Sequence, residues 1–378
     1  MTAGRSQLSL GIVFQGSFCL YGGMYMKQNS ISYSTIDQQI KKLKSQNLII
    51  NDEQIARDSL RLFGYSNLIK SYREPYVIIS GDKKIYRSGV SFDQLCSLYT
   101  LDKNIRNNVM AAMLDLEEHI KESAADIVAQ SFGVHQEQYL MYRNYQNKKK
   151  HKYRFSLPGI LDVMKKALDT DKDPIHHYQT EHGIVPPWIL FKSIYFSTIA
   201  NFIDLFKSEE QEKLVKVLYD TENISLSLDA IRKLMMDTLY ICLEYRNLSA
   251  HGGRVYNYKC KSQLRTDEIF GKAATSTLSG FSQLLTLLSL FIYQRPFLAL
   301  QSTLEQEVSR HCEQFPQDVT YLGQVLNMNI VPRHVVWISE NSNKYHLHKH
   351  CSGMKDAIEV ELEEAEKHGY IPCKKCNE

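Results

Sequence analysis

The sequence lacks a dominant charge. Its net charge at pH 7 is only +3 over 378 residues, so no global polyelectrolyte field marks it as a nucleic-acid binder. Any nucleic-acid site must come from local clustering. A membrane-spanning run is also missing. The stretch "LSLGIVFQGSFCLYGGMYM", residues 8–26, is broken by Gln15, Gly16, Ser17 and further glycines, and no small-x-small cleavage site follows a clean apolar core. The expectation is that Met24 or Met26 is the biological start, with residues 1–30 an extension outside the fold. No internal repeat is visible, and no disulfide framework either. Of the eight cysteines, Cys19, Cys96, Cys242, Cys260 and Cys312 are scattered among apolar or helical neighbours, which points to a reducing cytoplasm. Only Cys351, Cys373 and Cys376 cluster, and they do so beside histidines.

What is present is ordinary globular composition in a chain long enough for two or three domains. Tyrosine is abundant, at 23 residues, which suits amphipathic surfaces and base stacking alike. From Ser34 the texture is helical, with Ser34 or Thr35 as one N-cap, Asn51 as the next and Gly64 as a stop. "YVIIS" reads as a strand before a turn at Gly81-Asp82. Residues 92–131 carry apolar side chains every three or four positions, from Leu95 to Ala124, and predict one long core helix ended by Gly133. "PPWILFKSIYFSTIANFIDLF" predicts a buried helix opening on Pro186-Pro187, with Trp188, Phe191, Tyr195 and Phe196 in the core. Helices over 209–219, 225–251, 273–293 and 297–314 complete an all-helical body. After Pro316 the character changes to a strand at "RHVVWIS" and a short helix at "VELEEAEKHGY". The fold class is therefore mainly α: a helical N-terminal lobe over 31–90, a helical domain over 91–325, and a small α+β module over 330–378.

One segment departs from this pattern. In "EYRNLSAHGGRVYNYK", residues 244–259, a largely apolar helix ends on Arg246, Asn247 and His251 and stops at Gly252-Gly253. Asn247 and His251 share a helix face, and Arg246 sits about 100° round but has the length to reach it. A helix C-terminus favours a protonated imidazole. Arginine can hold a phosphate and steady charge on its oxygens, while histidine can move a proton to or from a ribose oxygen. Spacing alone leaves open a helix end where Arg and His merely cap carbonyls.

"EYRNLSAHGGRVYN" resembles the R-N-x-x-x-H pattern of HEPN-superfamily ribonucleases, and more closely the Abi-like family of abortive-infection proteins (the AbiD/AbiF group). "STIDQQIKKLKSQNLIINDEQIARDSLRLFGYSNLIKSY", "DLEEHIKESAADIVAQSFG" and "VPPWILFKSIYFSTIANF" resemble other parts of that family in the same order, over about residues 31–295. Ser249 stands where the family often has Cys, and Gly252-Gly253 where a polar residue is common. The resemblance implies a HEPN-type helical bundle and a cytoplasmic, metal-independent endoribonuclease. Arg246, Asn247 and His251 would be catalytic, and Arg254, the basic residue after them, would bind RNA. The ribose 2′-hydroxyl would attack the adjacent phosphate. Because such sites are composite and this chain has one motif, a homodimer is implied. Binding of a structured non-coding RNA without efficient cleavage is the second function the resemblance allows. A helical interaction protein with a vestigial motif is the third.

Two further stretches carry chemistry. "RNYQNKKKHKYR", residues 143–154, groups Lys148, Lys149, Lys150, Lys152 and Arg154 with Tyr145 and Tyr153, a combination suited to phosphates and unpaired bases, although most short lysine runs are solvated loops. "KYHLHKHCSGM…GYIPCKKCNE" sets His346 and Cys351 before a Cys373-x2-Cys376 knuckle, for which zinc is the simplest occupant. It resembles a small module with a Tyr-His…Cys…Gly-Tyr-x-Pro-Cys-x-x-Cys pattern, similar to the Ada-type metal-binding fold. That likeness implies His346, Cys351, Cys373 and Cys376 as ligands, with His348 and His350 competing for the histidine place. Four protein ligands leave no open position, so the zinc would be structural.

Overall fold

The computed structural model describes residues 32–81, 83–147, 156–262, 264, 280–330, 335–339, 341–346, 351, 354 and 356–375. The expected extension with Met24 and Met26 lies outside these residues. So do Lys148, Lys149, Lys150, Lys152, Tyr153, Arg154, His348, His350 and Cys376.

Two capped helices open the chain. Thr35 closes a capping box with Gln38 at the start of α1 (Ile36–Ser45). The cap of α2 (Glu53–Phe63) is Asp52, not the expected Asn51. Asp52 Oδ1 accepts the Ile55 N–H at 3.0 Å, whereas Asn51 Nδ2 is drawn away to Asp93, 2.8 Å distant. A hairpin follows, β1 (Val77–Ser80) against β2 (Lys83–Tyr86), antiparallel with Val77 opposite Tyr86.

The axis of the molecule is α3 (Phe92–Phe132), 41 residues long and so about 60 Å at 1.5 Å per residue. Its apolar positions are buried as the periodicity requires, and Gly133 ends it. The shorter helices α4 (Gln136–Tyr139), α5 (Leu157–Leu168), α6 (Ile175–His182), α7 (Pro187–Lys192), α8 (Phe196–Asp204) and α9 (Ser208–Leu218) follow. The single helix expected after Pro186 is in fact two, α7 and α8, interrupted at residues 193–195. Phe191 and Phe196 are core, but Tyr195 falls in the break and is 79% exposed, and Trp188 is only half-buried.

Among the described residues, α10 (Leu228–Ala250), α11 (Gly280–Ser289), α12 (Arg295–Gln314) and α13 (Val319–Leu326) complete the body. α10 and α12 both lie along α3. One hydrophobic core runs from Ile40 to Leu326 and passes residue 90 without a gap. α12 is fastened to α3 by a buried polar clasp. Asp318 accepts from Tyr76 Oη at 2.7 Å and from Gln94 Nε2 at 2.9 Å, and pairs with His311 Nε2 at 2.9 Å.

The C-terminal residues have a separate small core of Val336, Tyr345 and Ala365. There β3 (Val335–Ile338) pairs antiparallel with β5 (Ile358–Glu361), and β4 (Lys344–Tyr345) pairs parallel with β6 (Ile371–Pro372). Helix α14 (Leu362–Lys367) begins two residues later than "VELEEAEKHGY" suggests, because Val360 and Glu361 belong to β5. Among the described residues, no helix is long and apolar enough to cross a membrane.

Candidate functional site

The end of α10 is built by a reversal of the backbone. His251 is its C-cap, the Gly252 N–H bonds to the Ser249 carbonyl at 3.1 Å, and the Gly253 N–H bonds to the Leu248 carbonyl at 2.9 Å. This is a Schellman closure, and it needs the left-handed φ of +70° that Gly252 adopts. Tyr245 and Ser249 are buried near this end, while Asn247 and His251 emerge exposed beside them.

Asn247 and His251 line one open groove. Its far wall is the chain that returns after the motif, with Tyr258, Lys261 and Ser262. Glu244, one turn before Asn247 on the same helix face, holds that wall in place. Its carboxylate accepts the Ser262 N–H at 2.6 Å, the Lys261 N–H at 2.8 Å and the Tyr258 hydroxyl at 2.9 Å. Burial pushes the Glu244 carboxyl up, but these donors outweigh it and hold the group below the ordinary glutamate range. The wall therefore rests on an ionised carboxylate at neutral pH.

Arg246 points to the other side of the helix end. Its Nε lies 3.8 Å from Glu117 Oε2 on α3, and its Nη1 donates to Asn247 Oδ1 at 3.4 Å. Glu117 also pairs with Lys121 at 2.8 Å. The structure thus brings Asn247 and His251 into one groove and ties Arg246 to it through the Asn247 amide, with Glu117 behind. Arg254 is half-buried and donates to the Ser71 carbonyl, which engages it within the protein. Sequence reasoning missed Glu117, Tyr258 and Lys261 as neighbours of the motif. The alternation of basic and aromatic residues in "RVYNYKCK" was a signal for the last two.

Residues 58–257, more than half of the chain, match the Abi-like protein family. The chain belongs to that family. The match contains α3 from its start, the Pro-Pro-Trp region and the whole Arg246–His251 motif, and it stops before the C-terminal module. No curated protein and no solved structure matches the chain.

In this Abi-like protein the basic run is only partly described. Tyr145 is core: 5% exposed, its hydroxyl on the Tyr139 carbonyl and its ring 4.6 Å from Phe202. It has no free face for a base. Arg143 is exposed.

Ser97, His311 and Asp318 are linked in series, with Ser97 Oγ 2.9 Å from His311 Nδ1 and Asp318 Oδ2 2.9 Å from His311 Nε2. These are the residue types of a hydrolytic triad. Ser97, however, sits inside α3, where backbone N–H groups are committed to the helix and none is free to receive an oxyanion. The set is a structural clasp.

The C-terminal strands assemble a metal-type cluster. The register that sets Tyr345 beside Pro372 places His346 next to Cys373, and the Cys373 N–H bonds to the Tyr345 carbonyl at 3.0 Å. His346 is fixed further by paired backbone bonds to Trp337 of 2.7 and 2.8 Å. The ligand atoms of His346, Cys351 and Cys373 all lie within 4.8 Å of one another. Tetrahedral zinc with Zn–S of about 2.3 Å holds its ligand atoms roughly 3.5–3.8 Å apart. A side-chain adjustment closes that difference, so the three residues can coordinate a metal ion.

Proposed function

We propose that this Abi-like protein is a HEPN-type endoribonuclease of phage defence, with Arg246, Asn247 and His251 as its half of a composite site. The observation that carries the reading is the exposure of Asn247 and His251 in one groove at the end of a helix whose residues 234–242 are all buried. In the reaction, the ribose 2′-oxygen bonds to the adjacent phosphorus as the P–O5′ bond breaks. The products are a 2′,3′-cyclic phosphate and a 5′-hydroxyl. His251 is suited to take the 2′-hydroxyl proton or to give one to the departing 5′-oxygen. The second of those roles falls to His251 of another copy in a homodimer. Arg246, held by Glu117 and Asn247, is suited to the non-bridging phosphate oxygens. Lys261 beside the groove, and Lys148, Lys149, Lys150, Lys152 and Arg154, supply cations for neighbouring phosphates.

For the C-terminal cluster the proposed occupant is zinc, with Cys376 as the fourth ligand. Bound there, zinc would supply a structural cross-link between β4, β6 and Cys351. His346 and Cys373 are already positioned for it by backbone pairing.

The test is cleavage of a pooled RNA by wild type and His251→Ala, with analysis of the product ends and melting curves of both. A cyclic phosphate from wild type only, at equal melting temperatures, is the expected result. The expected loss is about 10²- to 10⁴-fold, the contribution of a general acid or base. Equal cleavage by the two proteins refutes the assignment. A folded wild type that retains RNA but does not cut it favours the non-coding-RNA reading.

A further inference from the structure

We propose that Asp102 and Arg106, one turn apart on α3, are positioning residues for the His251 groove and act by clamping the backbone that follows His251. The inference rests on the nuclease reading and adds two residues that the motif does not contain.

The His251 ring is exposed and, among the described residues, no hydrogen bond from the protein holds it. Its place is therefore set by the backbone of the turn that carries it. Helix ends of this kind fray readily unless something outside the helix holds them. Here both polar sides of the turn are held from α3. Asp102 is fully buried, and its Oδ1 accepts the N–H groups of Val255 and Tyr256, each at 2.9 Å. Its Oδ2 accepts the Tyr72 hydroxyl at 2.6 Å. Arg106 takes the carbonyls: its Nη1 donates to Gly252 at 3.3 Å and to Gly253 at 3.5 Å, while lying 3.8 Å from Asp102 Oδ2. Asp102 thus fixes the amides of Val255 and Tyr256, and Arg106 the carbonyls of Gly252 and Gly253. The Arg106 side chain is only 14% exposed, so it is spent on the turn and is not a surface cation offered to RNA.

A reacting group misplaced by about 1 Å can cost about 100-fold in turnover, even when the change is remote from the chemistry. Releasing the clamp should therefore lower kcat and leave KM nearly unchanged. Loss of a phosphate contact would raise KM instead.

The full-length protein is tested as wild type, Arg106→Gln, Arg106→Lys and Asp102→Asn. Amide hydrogen exchange over residues 252–256 reads the clamp, and kcat and KM on pooled RNA read the site. Arg106→Gln should melt near wild type, exchange faster in this segment, and lose about 10- to 100-fold in kcat with KM within about twofold. Arg106→Lys should recover part of the loss, because a lysine can still reach one carbonyl. Asp102→Asn keeps an acceptor for both amides and should be milder than removal of the side chain. If it does not fold, Arg106→Gln still decides the matter. Unchanged exchange in Arg106→Gln overturns the clamp, and faster exchange with unchanged kcat overturns the positioning role. A wild type that binds RNA without cutting it defeats the nuclease reading separately. The clamp is then judged by RNA affinity, which Arg106→Gln must weaken as much as His251→Ala does. A wild type that neither binds nor cuts RNA defeats both.

Discussion

At Gly253 a side chain would have to displace Leu248. A Cβ there would stand 2.2 Å from Leu248 Cδ1 and 3.2 Å from the Leu248 carbonyl oxygen, and Leu248 lines the groove. Gly252 has space around it but holds a φ of +70°, which L-residues other than asparagine and aspartate rarely adopt. The two glycines thus favour the turn for different reasons, Gly252 through its backbone angle and Gly253 through its close approach to Leu248. Gly252→Ala should cost about 1–2 kcal/mol from the left-handed backbone alone. Gly252→Asn should cost clearly less. Chemical denaturation of the three proteins checks this, and equal losses for Ala and Asn would remove the backbone explanation. The helix end that carries Arg246, Asn247 and His251 was legible in the sequence because its signals are local: apolar periodicity builds the helix, Gly252-Gly253 stops it, and Asn247 and His251 stand exposed there. Glu117 and Arg106 were not legible as their neighbours, because they lie more than a hundred positions away and arrive only when α3 packs on α10.

The elements follow the same division. α3 could be read to within a residue at each end, since its periodicity is long and both Ser91 and Gly133 are local signals. The break between α7 and α8 could not, because "PPWILFKSIYFSTIANF" is apolar enough to be buried either way and only tertiary packing turns it at residues 193–195. Likewise α12 shows its apolar face in sequence, but its attachment to α3 depends on a buried carboxylate. Burial pushes the Asp318 carboxyl up, yet the hydrogen bonds from His311, Tyr76 and Gln94 outweigh it and hold the group below the usual aspartate range. A carboxyl lowered in the folded state stabilises the fold above its unfolded pKa, near 3.8 here, and loses that contribution as pH falls through the folded value. Wild type should therefore lose melting temperature below about pH 4 more steeply than Asp318→Asn does. At neutral pH Asp318→Ala should cost about 3 kcal/mol or more, because it strands buried donors on Tyr76, Gln94 and His311. Parallel melting curves of wild type and Asp318→Asn from pH 2.5 to 7 would count against the clasp.

For the molecule as a whole, the C-terminal unit and the helical body make separate demands. Among the described residues the C-terminal core is Val336, Tyr345 and Ala365 with a few flanking side chains, little apolar burial to hold a fold this small without a cross-link. Purified protein is therefore expected to carry about one zinc per chain, and Cys373→Ser should release it. Protease should then cut after residue 330 while residues 32–326 persist; full zinc in a Cys373→Ser, Cys376→Ser double variant refutes the site. On the proposed nuclease reading, the helical body makes the opposite demand, for a second copy of itself. His251 can be the base or the acid in one turnover but not both, and the groove offers no second histidine among its lining residues. If two chains share each reaction, a mixed dimer of wild type and His251→Ala has no site with both histidines. With wild type held constant and a large excess of variant added, refolded together, nearly all wild-type chains enter mixed dimers. Cleavage should then fall far below that of wild type alone. If each chain were self-sufficient, activity would follow the amount of wild type and stay constant. Mixing the same proteins without exchange of subunits is the control, and activity there should not change. Constant activity after exchange, with mixed dimers confirmed by mass, would place the whole reaction within one chain.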